Sequence, residues 1–372
     1  MKKITMLGCG MVGRAMAMDL CHDFEVTVTD INQERLDTIK KELNVETRQG
    51  DLRKASVVQE FIAEADLVID AVPGFMGFQT MKTVIEAGKN IADIAFYGED
   101  PFDLDDLAKQ KGVVAVMDCG VAPGMSNMIL GHHNQNMEID SFECLVGGLP
   151  KKRSWPYEYK APFSPIDVIE EYIRPARFMR DSKIVTRPAL SDVELVDFDE
   201  IGTLEAFNTD GLRSLLKTIP APNMIEKTMR YPGHVAIMEI FKATGLFNEE
   251  PVSVNGTEIR PIDLTTQLLF PMWKLGDTEE ELTVMRITVK GQENGKEKAY
   301  QYHMLDRYDP KTKVSSMART TGYPCTAVSR LILDGKYTRK GISPPEFVGE
   351  VSECFDFAMA YLKERNIHFV LK

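Results

Sequence analysis

Apolar positions in the first third of the chain alternate between two patterns. Short runs that read as buried strands (residues 4–7, 25–29, 45–48, 67–71, 90–94 and 113–117) are separated by segments with helical spacing, such as Leu36, Ile39 and Leu43, or Met81, Val84 and Ile85. Regular alternation of this kind predicts a parallel sheet with helices on both faces, and ligands in such sheets lie beyond the carboxyl ends of the strands. After Gly124 the segments become longer and less regular. Strands are expected at 141–146, 184–186 and 193–197, with a hairpin of 281–290 against 297–306 turned by Glu293-Asn294-Gly295-Lys296. An isolated hairpin cannot bury both faces, so part of this second sheet is expected in a subunit interface of a homo-oligomer. Helical spacing returns at 327–333 and 347–363.

The loop after the first strand carries Gly8, Gly10 and Gly13, a G-x-G-x-x-G turn that enters the helix predicted for residues 11–21. Gly8 permits the tight turn, Gly10 lets a pyrophosphate approach bare backbone, and Gly13 lets helix and strand pack closely. The phosphates would rest on the first N–H groups of the helix, at Met11 and Val12. Asp30 ends the second strand at the spacing that suits a ribose, and its carboxylate favours NAD by accepting from the 2′- and 3′-hydroxyls while repelling a 2′-phosphate. Arg35 lies a turn further on and reads as a solvated side chain. By position, Asp51 faces the adenine or forms a simple turn, Ala71-Val72-Pro73 and Gly120 border the nicotinamide half, and Asp93, Tyr97 and Asp118 are candidates for the catalytic crevice. The expected fold class is therefore α/β, a Rossmann doubly wound parallel sheet plus a second α+β domain with a mostly antiparallel sheet. The domains are placed at 1–122 and 123–324, with 325–372 packing back onto the first.

At 372 residues the chain is long enough for two such cores. A net charge of -12 argues against nucleic acid or an anionic membrane as partner and leaves a small molecule. The six cysteines show no C-x-x-C pair, so neither a metal site nor a disulfide framework is expected, and a reduced cytoplasmic setting fits. Lys2, Lys3 and the apolar stretch ending in Ala15-Met16-Ala17 imitate a secretion signal. Three glycines interrupt that stretch, and it doubles as the nucleotide strand, so it is read as part of the fold.

The run Val146-Gly147-Gly148-Leu149-Pro150, then Tyr159-Lys160, Phe163-Ser164 and Glu171-Tyr172, resembles the saccharopine dehydrogenase superfamily of the reductase type. The segments from Glu205 to Arg213 and from Arg230 to His234 look most like its lysine 6-dehydrogenase branch. The resemblance implies NAD-dependent oxidative deamination of the ε-amine of L-lysine to 2-aminoadipate 6-semialdehyde, which cyclises, with release of ammonia. It also implies a second domain that supplies the substrate pocket and oligomer contacts. Saccharopine reductases carry an acidic residue where this chain has Ala122 and a cysteine where it has Val146, and both departures weaken a saccharopine reading.

Hydride leaves an amine-bearing carbon only when the nitrogen is neutral, whereas a free lysine side chain has a pKa near ~10.4. A base or a desolvating pocket is required. Lys160, between Tyr159 and Ala161, is the first candidate, with Asp118 and Tyr97 as alternatives. Tyr159 and His234 are candidate substrate contacts, and Arg230 or Arg319 would hold the substrate carboxylate in a bidentate fork. His132-His133 lacks a third ligand at metal spacing. Two further readings stay open: a saccharopine-type or carboxynorspermidine-type imine reductase using NAD(P)H, and a non-catalytic dinucleotide sensor.

Overall fold

A computed structural model describes residues 1–162, 165–276 and 279–372. The chain forms two compact units, residues 1–137 with 318–369, and 138–317 with 370–372.

The first unit is built on seven parallel strands. β1 (Lys3–Leu7), β2 (Glu25–Asp30), β3 (Glu46–Gln49), β4 (Leu67–Asp70), β5 (Asn90–Asp93) and β6 (Val114–Val116) stand in the order β6-β5-β4-β1-β2-β3, and the strand Gly341–Ser343 extends the β6 edge. The strand order reverses between β1 and β4, which makes the carboxyl ends there the expected ligand side. The β1 and β4 residues Ile4, Met6, Leu7, Leu67, Val68 and Ile69 are all buried, as strands covered on both faces require. The intervening helices are α1 (Met11–Leu20), α2 (Gln33–Glu42), α3 (Ala55–Ile62), α4 (Gly74–Glu86), α5 (Asp105–Lys111) and α6 (Met125–Asn134). Helix α6 belongs to this unit because it packs on the short helix Pro345–Gly349. A Cβ at Gly131 would stand 2.1 Å from the Glu346 carbonyl, and Asn127 Nδ2 donates to Glu346 at 3.2 Å. The division therefore falls after Met137 rather than at residue 122. It falls again within the long helix Ser316–Leu333, rather than at 324.

The second unit is organised by a nine-stranded sheet around β7 (Glu138–Pro150). The expected hairpin is present as Glu281–Glu293 and Lys296–Arg307, with Asn294 and Gly295 at φ 52° and 71°, the conformation a tight two-residue turn demands. It is not isolated, since Glu281–Glu293 pairs antiparallel with β7 along most of its length. On the other side of β7 lies Asn223–Arg230, in the parallel sense, followed by Gly202–Asn208 and Glu194–Phe198. A cluster of aromatic and aliphatic side chains, with Tyr159, Tyr172, Phe207, Met238, Leu269 and Trp273 at its centre, forms one core of this unit.

Candidate functional site

The turn from β1 into α1 is held by backbone packed on backbone. Gly8 sits at φ +110°, where a Cβ would lie 2.5 Å from the Ala71 carbonyl oxygen, and a Cβ at Gly13 would lie 2.3 Å from the Gly8 carbonyl oxygen. Gly10 is different: its φ of -74° suits any residue, and its missing Cβ faces nothing within 4 Å among the described residues. The packing of the described residues does not require that glycine, and its bare backbone leaves the space beside the turn open. Among the described residues no side chain caps α1 and no acidic residue stands in its first turn, so the N–H groups at Met11 and Val12 keep their affinity for an anion.

Asp30 closes this cradle. Its Oδ2 accepts from Cys9 N at 2.8 Å and its Oδ1 from Asn32 N at 2.8 Å, which fixes the carboxylate while leaving each oxygen lone-pair capacity for a hydroxyl. The Arg35 guanidinium stands 4.0 Å from Asp30 Oδ2 although its side chain is 58% exposed, closer to the site than a purely solvated side chain would be. Burial and the neighbouring Asp30 push the Cys9 thiol up to about 11, so it is inert. The residues thus fit a dinucleotide. Asp51 is engaged elsewhere: both its oxygens accept from Arg53, at 2.8 and 2.9 Å, and that hydrogen-bonded pair holds the carboxyl down at about 2. The loop 71–73 meets the glycine turn at Ala71, whose N–H donates to the Leu7 carbonyl at 2.8 Å; Val72 is buried and Pro73 precedes α4. Gly120 accepts from Met125 N at 3.0 Å at the entry to α6.

Beyond β4, β5 and β6 the unit buries three aspartates, Asp70, Asp93 and Asp118. Asp118 adopts φ 52° in the loop after β6. Tyr97 does not join them: it is buried in the core beneath α4, edge-on to Phe78, with its hydroxyl 3.4 Å from the Met81 sulfur. Loop position alone placed it in the crevice, but the loop turns its ring inward, under Gly77.

In the second unit Tyr159, Arg230 and His234 come together in a buried network. His234 starts the helix His234–Ala243, and Nδ1 donates to the Tyr157 carbonyl at 2.8 Å, leaving Nε2 to accept from the Tyr172 hydroxyl at 2.9 Å. Burial and the nearby Arg230 charge drive His234 down to about 3, which keeps it neutral. Arg230 uses all three nitrogens: Nε on Tyr172 Oη at 3.3 Å, Nη1 on the Met229 carbonyl at 3.0 Å and Nη2 on Glu171 at 2.8 Å, with its plane over Tyr159. Such a guanidinium is a neutralised structural element rather than an open carboxylate fork. Among the described residues the Tyr159 hydroxyl and Trp273 Nε1 in this cluster are buried without a partner. Lys160 donates to the Lys274 carbonyl at 3.4 Å and stands 3.9 Å from Glu279. Arg319 belongs to the first unit, buried, with Nη2 on the Arg365 carbonyl at 2.7 Å. Phe163 and Ser164 lie outside the described residues.

The long motifs that carried the family resemblance turn out to build this interior. Glu205 accepts from Gly233 N at 3.1 Å and Val235 N at 2.6 Å, capping the helix His234–Ala243, and Asp210 takes a bidentate pair from Arg177 at 2.9 and 2.8 Å. Asp70 and Trp273 were not singled out from sequence. Asp70 has a readable signal, since a carboxylate closes the apolar run 67–69 one strand away from Asp93, whereas Trp273 has none.

A parallel sheet of this order, with a glycine turn after its first strand and a fixed carboxylate at the end of its second, has the features of a dinucleotide-binding domain. Comparison with known proteins makes this specific. Residues 4–116 match the saccharopine dehydrogenase NADP binding domain and residues 120–367 the saccharopine dehydrogenase C-terminal domain. The chain belongs to the saccharopine dehydrogenase family, and its coenzyme class is a nicotinamide dinucleotide. It is 22% identical to the mitochondrial alpha-aminoadipic semialdehyde synthase of Mus musculus, over 95% of this chain and 46% of that one, so it spans about half the length of that relative. It is 21% identical to the carboxynorspermidine synthase of Vibrio alginolyticus, covering 91% and 90% of the two chains. The solved apo saccharopine dehydrogenase (L-Glu forming) of Saccharomyces cerevisiae superposes with a TM-score of 0.81 at 18% identity, over 100% of this chain and 99% of that chain. No helix among the described residues is long and apolar enough to cross a membrane.

Proposed function

We propose that the protein is an NAD-dependent oxidoreductase that oxidatively deaminates the ε-amine of L-lysine to 2-aminoadipate 6-semialdehyde with release of ammonia. The observation that supports the coenzyme choice is Asp30, whose two oxygens accept from Cys9 N and Asn32 N, so that a fixed carboxylate stands where the ribose of a dinucleotide on this turn is expected. A 2′-phosphate there would bring like charges together, and the single exposed Arg35 at 4.0 Å is already directed at Asp30. The family model that matches residues 4–116 is named for NADP, so this preference is a property of the present chain's residues. The amine substrate is supported by family membership together with Ala122 and Val146, which replace the acidic residue and the cysteine of saccharopine reductases.

A bound nicotinamide dinucleotide would supply the hydride acceptor. The chain must supply a group that takes a proton from the ammonium and later activates water. Lys160 and Asp118 are the candidates, and Tyr97 is set aside because its ring lies in the core. Lys160→Ala is expected to collapse turnover with coenzyme affinity retained; if its rate is unchanged and Asp118→Asn is inactive, the base is Asp118.

A second reading is favoured by the relatives themselves: an imine reductase of the saccharopine or carboxynorspermidine type. The two are separated by what the protein requires for turnover. The leading reading expects NADH and ammonia from NAD and L-lysine alone, whereas the second expects oxidation of NAD(P)H only when an amino compound and an aldehyde are supplied together. Tight coenzyme binding with no turnover in either assay would identify a dinucleotide sensor.

A further inference from the structure

The helix Pro261–Trp273 is apolar on two sides. Ile262, Leu269 and Trp273 are buried in the aromatic core of the second unit, while Leu264, Leu268 and Met272, one turn apart along the helix, are 51%, 63% and 48% exposed. Of its 13 residues only Asp263 is charged. A helix packed on one side ordinarily turns polar residues to water, and one that is apolar all round is covered on both faces. The residues just before it repeat the pattern. Val252–Val254 pairs antiparallel with Thr257–Ile259 as a separate hairpin, joined to no other strand among the described residues, and Val252 and Val254, both about half exposed, project from the same face of it. A lone two-stranded hairpin is marginal in water.

We propose that this helix is a two-fold interface between two copies of the chain, each helix crossing the other antiparallel at Leu268. The spacing is self-complementary: a two-fold axis at Leu268 sets that residue against itself and Leu264 of each copy against Met272 of the other. Rows of side chains four residues apart are the ridges that interlock in the commonest helix packing. Charge favours the same sense. The segment 249–263 carries four acids, Glu249, Glu250, Glu258 and Asp263, against the single Arg260, and the exposed Lys274 follows the C-terminal end of the helix. An antiparallel crossing brings the acidic end of each copy toward the Lys274 end of the other and opposes the helix dipoles, whereas a parallel one brings the acids together. Three side chains a copy fall short of the ~20 residues a side of a stable interface. The hairpin extends the contact, since it leads into the N-terminal end of its own helix and so lies toward the C-terminal end of the second copy. The same acids, in a chain of net charge -12, disfavour an anionic membrane as the occupant.

Sedimentation equilibrium of the whole chain without coenzyme should show a dimer at micromolar concentration. Leu268→Glu puts two like charges on the axis and should raise the dimer dissociation constant about a hundredfold. Because Leu268 is mostly exposed, the variant should keep the parent's circular-dichroism spectrum. Asp263→Lys and Lys274→Asp should each weaken association about fivefold, and the two together should restore it. Leu268→Cys reads the geometry even if a charged variant fails to fold. Only an axis at this residue brings one cysteine to its own copy, so mild oxidation should link two chains through it, whereas Leu264→Cys should link to Met272→Cys in a mixture and not to itself. The six native cysteines are buried. A parent that stays monomeric at about 0.1 mM, a Leu268→Glu protein that dimerises as the parent does, or a Leu268→Cys protein that does not cross-link would overturn the proposal. A monomeric parent that co-sediments with phosphatidylcholine–phosphatidylserine vesicles, and loses them in Leu268→Glu, would assign the stripe to a lipid surface instead.

Discussion

Replacing Gly10 with alanine separates what the glycine turn does for folding from what it does for binding. The added methyl meets nothing within 4 Å among the described residues and φ is -74°, so the coenzyme-free protein should keep its stability within about 0.5 kcal/mol. The same methyl stands where the pyrophosphate is expected to touch backbone, and a loss of ten- to hundredfold in affinity corresponds to about 1.4 to 3 kcal/mol. With NAD at a hundred times the wild-type Kd, binding stabilises the parent by about 2.7 kcal/mol, and a hundredfold weaker variant by only ~0.4 kcal/mol. At roughly 2–4 °C per kcal/mol for a unit of this size, an NAD-induced rise of about 5–10 °C should shrink to about 1 °C. Gly13→Ala provides the contrast. Its methyl would stand 2.3 Å from the Gly8 carbonyl oxygen, backbone that no rotamer change can move, so it should lower the melting temperature without NAD by an overpacking cost of about 1–3 kcal/mol. Differential scanning fluorimetry with and without NAD reads both. A Gly10→Ala protein that gains as much from NAD as the parent would show that the phosphates lie elsewhere.

Other residues give independent tests. Asp30→Ala should raise the NAD Michaelis constant by an amount worth on the order of 1–3 kcal/mol and narrow the preference over NADP, because Arg35 then faces the ribose without a competing carboxylate; unchanged steady-state constants would contradict the assignment. Glu205→Ala removes the cap on Gly233 N and Val235 N and should cost about 1–2 kcal/mol in a urea melt. Glu226, buried beside Thr209 and Gly211 N, is pushed up to about 8 by burial. Its folded pKa lies above the unfolded value near ~4.3, so stability drains away as pH rises between the two. Glu226→Gln should be more stable than the parent at pH 8 by on the order of 4–5 kcal/mol and equal near pH 4, and identical pH profiles would refute this.

The nucleotide half was legible because its strands are continuous apolar runs bounded by turns: residues 25–29 and 67–71 were anticipated within a residue of β2 and β4. In the second unit the strands at 141–146, 184–186 and 193–197 and the hairpin were anticipated as well, whereas Asn223–Arg230 was not, for a visible reason. That strand reads as polar because it buries Glu226 on Thr209 and Lys227 on Glu194, so it lacks the alternation that marks a strand. Gly341–Ser343 is too short to show a period at all. Among site residues, Gly8 and Gly13 were recognisable because backbone geometry demands them, and Asp30 from its place at the end of the second strand. Tyr97 misled because a loop's position says nothing of which way its ring turns, and Arg230 because a charge reads as available until its partners, here Glu171 and Tyr172, are known.

The central claim is tested most directly by offering the protein NAD and L-lysine deuterated at carbon 6 and analysing the reduced coenzyme. One deuterium is expected in each NADH formed, with one ammonia released alongside it. No NADH from lysine alone, with turnover only when reduced coenzyme, an amino compound and an aldehyde are combined, would contradict it.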